Sequence, residues 1–168
     1  TVLNDLAGSA VATGKIVVRG DGTPWRPVAH IEDVCRAFLH VLRAPIPLIH
    51  NQAFNNGEHG MNHQIWELAE TVAEAVPGTV IERLGRPDAD QRTYKTDFGK
   101  FARTFPDFRF RWSVRDGARQ LAKALRSAGL TASTFADPRF TRLAWLRHLL
   151  ASGRLDASLR WQAQGVPA

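Results

Sequence analysis

The stretch that decides the fold is residues 21–42, DGTPWRPVAHIEDVCRAFLHVL. Its opening, Asp21-Gly22-Thr23-Pro24, contains three turn-forming residue types and predicts a turn, and residues 25–31 predict a short strand. Apolar side chains then recur at helical spacing from Ile31, which predicts a helix that ends before Pro45. Arg26 therefore lies at the start of a strand directly after a turn, where its planar guanidinium would be held rigidly and would suit a diphosphate.

The rest of the chain continues the alternation of helix and strand. Helical periodicity marks residues 2–13, 65–76, 98–104, 113–129 and about 138–151. Short strands are predicted at residues 16–18, 51–55, 79–82 and 92–96. Alternating elements indicate an α/β fold, but a complete parallel sheet with its crossovers would need more strands than these. The pattern therefore predicts a mostly helical α/β chain that lacks part of its sheet.

Composition excludes several classes of protein. The 168 residues suffice for a sizeable core, and 44% hydrophobic and 23% charged residues are ordinary for a globular domain. No apolar run approaches the roughly 20 residues that a membrane helix needs, so no membrane partner is expected. Cys35 is the single cysteine, which excludes an intrachain disulfide and a multi-thiolate metal cage. We expect its side chain to be small, apolar and buried.

Positive charge is concentrated late in the chain. The net charge is +6, and the part from Phe101 onward holds 12 Lys/Arg against 4 Asp/Glu. Such a segment can serve anions, nucleic acid included, but arginines spaced along a helix more often form a solvated face. A nucleic-acid partner is therefore the weaker interpretation.

The chain offers no recognisable catalytic or metal-binding motif. Its histidines are scattered, and none adjoins a nucleophile motif. His59 and His63 are four residues apart, but Gly60 between them indicates a loop, and no metal site is expected. Gly57 and Gly60 lie between a predicted strand and a predicted helix, yet they lack the dinucleotide-binding fingerprint, which favours a structural loop.

A second polar segment, RPDADQRTYKTD at residues 86–97, precedes a predicted helix. It mixes arginines, carboxylates and one phenol. Arginine can neutralise phosphate, a carboxylate can accept hydrogen bonds from sugar hydroxyls, and a tyrosine can stack or donate. These residue types allow a sugar-phosphate site, although an exposed surface loop remains the commoner interpretation of such a segment.

Taken in order, DGTPWRPVAHIEDVCRAFLHVL, FNNG and RPDADQRTYKTDFGKFAR resemble the later half of extended short-chain dehydrogenases/reductases. The resemblance is closest to the sugar-nucleotide epimerase/dehydratase group and covers about residues 2–127. It implies an NAD-binding Rossmann domain together with a smaller carboxyl-terminal region that holds a nucleoside diphosphate sugar. The chain would then be the carboxyl-terminal substrate-binding lobe, with the Rossmann half missing.

The resemblance assigns roles to several residues. Arg26 would contact the substrate diphosphate. Arg86 and Asp90 match the family's R-x-G-D element, although RPDAD is one residue longer and has no glycine. Tyr94 falls where family members place a substrate-contacting aromatic residue, and Arg92 could substitute for Arg86.

The start of the chain carries two further assignments. Asn4-Asp5-Leu6 resembles an Asn-Asn-Leu pattern whose amides meet the nucleotide, so Asn4 would make that contact. Asp5 departs from the pattern, because a carboxylate there would repel phosphate. Val18 lies in the strand that flanks the base through backbone groups.

Two family elements are absent from the sequence. There is no glycine-rich cofactor fingerprint, and Tyr94, the only tyrosine, is followed four residues later by Phe98 rather than by lysine. The resemblance therefore implies that NAD is bound by the missing half and that this chain is inactive by itself. The whole enzyme would be a bacterial, cytoplasmic homodimer acting as an isomerase, lyase or oxidoreductase.

Three hypotheses follow. In the first, residues 1–129 are the substrate-binding lobe of an NAD-dependent epimerase/dehydratase, and residues 130–168 are a helical extension. In the second, the chain is a non-catalytic nucleotide- or sugar-binding or regulatory module. In the third, it is a basic helical nucleic-acid interaction domain. The first also predicts that the segments near Val28 and Phe54, with their helices, expose apolar surface for the Rossmann half to cover.

Overall fold

The structure, a computed structural model, describes residues 2–84 and 92–162. The chain divides into two compact units, residues 1–129 and 130–168. In the first unit the helices are α1 (Val2–Thr13), α2 (Ile31–Leu42), α3 (Ile46–Ile49), α4 (Ile65–Ala75), α5 (Gly99–Thr104) and α6 (Val114–Ser127). Its strands are β1 (Lys15–Val18), β2 (Trp25–Pro27), β3 (Asn62–Gln64) and β4 (Val80–Arg83). The predicted class, a mostly helical α/β fold with short strands, is confirmed.

The strands form two small sheets. β1 pairs with β4 in parallel, and β2 pairs with β3 in antiparallel fashion so that Arg26 lies opposite His63. The turn before β2 is fixed locally. Gly22 has φ +78° and its α-carbon faces Trp66, so a side chain there would clash. Thr23 donates its backbone N–H to the Asp21 carboxylate at 2.9 Å, and this hydrogen bond lowers the pKa of Asp21.

The main core of the first unit lies where α1, α4 and α6 pack on each other and on β1. Small residues such as Ala7 and Ala118 lie at the helix contacts, while Leu68 and Ile16 fill the space between helix and strand. All four are at most 1% exposed. Burial of such side chains contributes roughly 25 cal/mol per Å² of apolar surface and holds α1 and α6 beside each other.

A second core is built mainly from phenylalanine rings. Phe101 and Phe105 of the α5 region are buried with Ala37 of α2. Phe54, Phe108 and Phe110 pack around them, with ring centroids 5.0–6.4 Å apart. This cluster joins α2 to the segment that follows α5.

Several sequence-based expectations for local structure are wrong. Residues 51–55 and 92–96 form no strand, and β2 ends at Pro27 rather than at Ile31. A strand requires a neighbour that accepts its backbone hydrogen bonds, and within the described ranges segment 51–55 has none. Phe54 of that segment instead packs in the aromatic core. β3 was not expected, because its polar residues Asn62–Gln64 carry no strand signal.

Two single-residue expectations have different outcomes. Cys35 is exposed, which contradicts the expected buried position, because it lies on the outward face of α2. Gly57 is buried and structural, as expected. A Cβ atom there would lie 2.4 Å from the Phe98 ring, and that ring is only 4% exposed.

Helix α2 carries an exposed row of apolar side chains, which we call the α2 stripe. Ile31, Phe38 and Leu42 are 67%, 65% and 74% exposed. They recur at intervals of seven and four residues and therefore share one face of the helix. The expected exposure of apolar surface is thus found on the helix after Val28, whereas Phe54 is packed.

The second unit, described to residue 162, contains α7 (Ala132–Ala136) and α8 (Arg142–Ala151). Helix α8 begins four residues later than expected, because Pro138 opens a separate 3-10 turn. Arg139 donates side-chain and backbone hydrogen bonds to Asp137, and these lower the pKa of Asp137 to about 2. Leu155 and Trp161 form a single β-bridge after α8.

Among the described residues, no helix combines the length and apolar character that crossing a bilayer requires. The same ranges contain no group of three or more His, Cys, Asp or Glu side chains arranged to hold a metal ion.

Candidate functional site

The first unit contains a cavity of about 860 Å³, which we call the Arg26 pocket. Three parts of the unit form its walls. They are the amino end of α1, the β2–β3 ribbon together with residues 28–31, which lead from β2 into α2, and the start of α6. Cavities of roughly 300–1,000 Å³ are typical of small-molecule sites.

Arg26 lies in the wall of this pocket and is half-buried. Its Nη1 donates to the Trp25 carbonyl at 2.9 Å and to the Arg92 carbonyl. The Tyr94 ring centroid lies 5.1 Å from the guanidinium carbon of Arg26, within the range of a cation–π contact. The guanidinium is therefore held in one orientation between β2 and residues 92–94.

Residues 92–94 run alongside β2. The Tyr94 N–H donates to the Trp25 carbonyl at 3.0 Å, and the Trp25 N–H donates to Thr93 Oγ1 at 2.9 Å. The Arg92 guanidinium carbon lies 5.8 Å from the Tyr94 ring centroid. The fold thus brings together predicted site residues from two separate segments of the sequence, Arg26 from one and Arg92 and Tyr94 from the other.

The remaining predicted site residues are distributed differently. Asn4 is exposed on the first turn of α1 and lines the Arg26 pocket. Val18 is 1% exposed in the main core, and its carbonyl accepts the Leu84 N–H, so it does not line this pocket. Arg86 and Asp90 lie outside the described residues.

The sequence did not predict the wall of the pocket that His30, Trp112 and Gln120 form together. The His30 ring stacks on Trp112 with centroids 3.9 Å apart, and His30 Nε2 lies 2.6 Å from Gln120 Oε1. Because the Glu32 N–H donates to His30 Nδ1, the Nε2 atom carries the proton and donates to Gln120. Both ring nitrogens are engaged, so His30 is a satisfied histidine that caps α2 rather than a catalytic base.

Asp33 holds this wall in place. Its carboxylate is 0% exposed, and its Oδ2 accepts the N–H groups of Arg111 and Trp112, each at 2.9 Å. Its Oδ1 accepts Arg36 Nη1 at 2.6 Å. The first turn of α2 therefore determines where Trp112 lies against His30. The acidic residue at a helix start was the only sequence signal for this contact, because its partners lie 78 and 79 residues away.

His63 faces Arg26 across the ribbon and also lines the pocket. Burial lowers the pKa of His63, and the Glu67 carboxylate, 3.9 Å from Nδ1, partly opposes this effect. Burial therefore favours the neutral form of the His63 imidazole in the folded protein.

This shift predicts a pH-dependent stability. Because the pKa of His63 is lower in the folded state, the unfolded chain binds more protons as the pH falls below about 6.5, and stability is lost in that range. Urea denaturation at pH 7.5 and pH 5 should show a smaller loss of stability for His63→Gln than for the wild type. Equal losses in the two proteins would contradict the assignment.

Comparisons with known proteins agree with this architecture. Residues 1–57 match the sequence model of the NAD dependent epimerase/dehydratase family. The family resemblance is confirmed. GDP-L-fucose synthase of Escherichia coli (strain K12) is 32% identical to this chain over 88 residues, and the match covers 46% of this chain and 26% of that protein.

Solved structures share the fold at low identity. L-threonine dehydrogenase from Clostridium difficile superposes with a TM-score of 0.61 at 19% identity, over 75% of this chain and 40% of that one. RMD from Pseudomonas aeruginosa, solved with NADPH, superposes with a TM-score of 0.59 at 18% identity, over 76% and 43%. The chain thus spans about a quarter of the curated relative and about two fifths of these solved structures.

Proposed function

We propose that residues 1–129 are the substrate-binding lobe of an NAD-dependent nucleotide-sugar epimerase or dehydratase. The observation that carries the proposal is that Arg92 and Tyr94 contact Arg26, whose side chain lines the Arg26 pocket. Asn4, on α1, lines the same cavity. The family match over residues 1–57 supports this assignment.

The chemistry of these residues suits a nucleoside diphosphate sugar. A guanidinium binds phosphoryl oxygens through charge-assisted hydrogen bonds, and its orientation in advance reduces the entropy lost on binding. The Tyr94 ring is 44% exposed and offers a face and a hydroxyl to a sugar or base. Asn4 can donate to and accept from the nucleotide through its amide. Arg86 and Asp90 complete the proposed set from the sequence.

The described part of the chain does not fit NAD. A dinucleotide site of the Rossmann type needs a strand, a glycine-rich turn and a helix whose amino terminus faces the pyrophosphate. β1 leads through a glycine turn into another strand, β2, and β3 enters α4 without a glycine. We therefore place NAD, and the catalytic residues, in a separate Rossmann half, and we assign no hydride-transfer step to this chain.

The α2 stripe is the surface that we propose for that half. Ile31, Phe38 and Leu42 are largely exposed, whereas polar residues cover most exposed helix faces of globular proteins. The relatives are considerably longer than this chain, which supports the proposal that a Rossmann half covers the stripe. A cytoplasmic homodimer of the whole enzyme is part of the same proposal.

Binding of nucleotide sugars tests the proposed pocket. We expect calorimetric titration of UDP-glucose and GDP-mannose into the chain to show binding of at least one of them. Arg26→Gln should weaken the affinity for that nucleotide sugar about tenfold or more, since a hydrogen bond to a charged group contributes about 1.5–3 kcal/mol. Arg126→Gln removes the same charge from the exposed face of α6 and should leave the affinity unchanged. Equal affinities for the two variants would refute the proposal. Persistent binding without turnover after addition of a Rossmann half would favour a non-catalytic module.

A further inference from the structure

A second concave surface of the first unit lies between α2 and the segment after α5, and we call it the arginine groove. Its volume is about 470 Å³. The groove is lined by Arg36, Leu39, His40, Arg43, Asp107, Phe108, Arg109 and Arg111. It shares no lining residue with the Arg26 pocket.

Positive charge dominates this groove. Four guanidinium groups line it, together with one carboxylate, that of Asp107. Asp107 lies 3.5 Å from His40 rather than within salt-bridge distance of any of the four arginines. Like charges that converge in a concavity repel one another and raise the local potential, so the groove attracts anions.

The fold orients one of the arginines in advance. Arg36 Nη1 donates to the buried Asp33 carboxylate at 2.6 Å and to the Arg109 carbonyl at 3.0 Å. The Arg36 guanidinium carbon also lies 5.1 Å from the Phe108 ring centroid. Both hydrogen bonds use Nη1, so the other edge of the guanidinium retains donors for a ligand.

Two other arginines are not committed to the protein. Arg43 and Arg111 are exposed, and in the described part of the chain neither guanidinium has a hydrogen-bonding or ion-pair partner. These unpaired guanidinium groups and the oriented Arg36 line the same groove, and guanidinium groups bind phosphoryl oxygens through charge-assisted, often bidentate, hydrogen bonds. Phe108 and Leu39 add apolar surface at the same place.

The groove is also separate from the α2 stripe. Arg36 and Arg43 lie seven residues apart on one side of α2, whereas Ile31, Phe38 and Leu42 lie on another side and do not line the groove. A domain seated on the stripe therefore need not fill the groove.

From this arrangement we propose that the arginine groove is a second anion site, which binds the diphosphate group of a small molecule. The diphosphate could be inorganic pyrophosphate or part of a nucleotide. The two sources share the chemistry that the arginines recognise, and they differ in whether Phe108 and Leu39 contribute.

Amide chemical-shift mapping on the whole chain, combined with calorimetry, tests the proposal. Titration with pyrophosphate at low salt should shift the amide signals of residues 107–111 in a saturable manner. The Arg43→Gln/Arg111→Gln double variant should bind at this site about tenfold or more weakly. Lys123→Gln/Arg126→Gln, which removes two exposed charges from α6, is the matched control and should bind like the wild type. The titrations are repeated with Arg26→Gln, so that binding at the groove can be distinguished from binding at the Arg26 pocket.

The outcomes are distinct. Tighter binding of ADP than of pyrophosphate at residues 107–111 would identify a nucleotide as the source, and equal binding would identify the diphosphate alone. Absence of saturable shifts there, or equal weakening by both double variants, would overturn the proposal. Retention of an RNA oligonucleotide without pyrophosphate binding would also overturn it, in favour of a polyanion surface.

Discussion

Replacing Phe101 with alanine is expected to lower the free energy of unfolding by about 3–5 kcal/mol, the range seen when a buried aromatic side chain is truncated. Phe101 is 2% exposed and has four phenylalanine neighbours, Phe54, Phe105, Phe108 and Phe110. Its removal leaves a cavity that these rings cannot fill together, because each is also held by its own chain segment. Urea denaturation followed by circular dichroism measures the loss.

Phe38→Ala is the matched control for this prediction. It removes the same ring from a side chain that is 65% exposed on the α2 stripe. We expect a change in the free energy of unfolding within about 0.5 kcal/mol, as for most surface substitutions. A loss as large as that for Phe101 would mean that the stripe is packed against something in the isolated chain, and the proposed docking surface for a Rossmann half would have to be abandoned.

Removal of the Asp33 carboxylate is expected to be comparably costly. Asp33→Ala eliminates three hydrogen bonds to a fully buried carboxylate and leaves Arg36, whose side chain is 29% exposed, without its ion-pair partner. Breaking such a buried pair by removing one partner costs about 3–5 kcal/mol. Asp33→Asn keeps one acceptor oxygen and should fall between the alanine variant and the wild type.

This second prediction has a local readout and a neighbouring control. Because Asp33 holds the Trp112 N–H, its loss should also disturb the stacking of Trp112 on His30 and change the amide signals of the Arg26 pocket. Glu32→Ala is the control. The Glu32 carboxylate lies on the same helical turn and accepts a hydrogen bond from Trp112 Nε1 at 2.9 Å, but it is exposed. We expect that control to cost less than about 1 kcal/mol, since an exposed hydrogen bond exchanges with water. Equal losses for the two variants would show that burial of Asp33 is not the cause.

Much of the local structure could be predicted from neighbouring residues alone. The periodicity of α1, α2, α4 and α6 is confirmed, and α6 begins at a local cap in which Ser113 Oγ accepts the Asp116 N–H at 3.1 Å. These features depend on side chains at most four residues apart, so the local sequence contains the information. The order of the motifs along the chain likewise sufficed to identify the family resemblance.

The errors in predicting strands share one physical cause. Segment 51–55 has strand-like residues, but a strand is stable only beside another strand, and no neighbour is available to it in the described part of the chain. Asn62–Gln64 has the opposite character, since its polar residues become a strand because β2 offers pairing partners. Sequence patterns describe the preference of a segment, whereas pairing depends on distant residues.

The sequence by itself thus determined the helices, the turn before Arg26, the fold class and the family resemblance, because each depends on short spacings or on the linear order of motifs. Only the tertiary structure decided that Tyr94 lies beside Arg26, that Asp33 positions Trp112, and that four arginines share one groove. Those contacts join residues more than 65 positions apart, and they arise from packing of α2 against the α5–α6 region and from hydrogen bonds to buried groups.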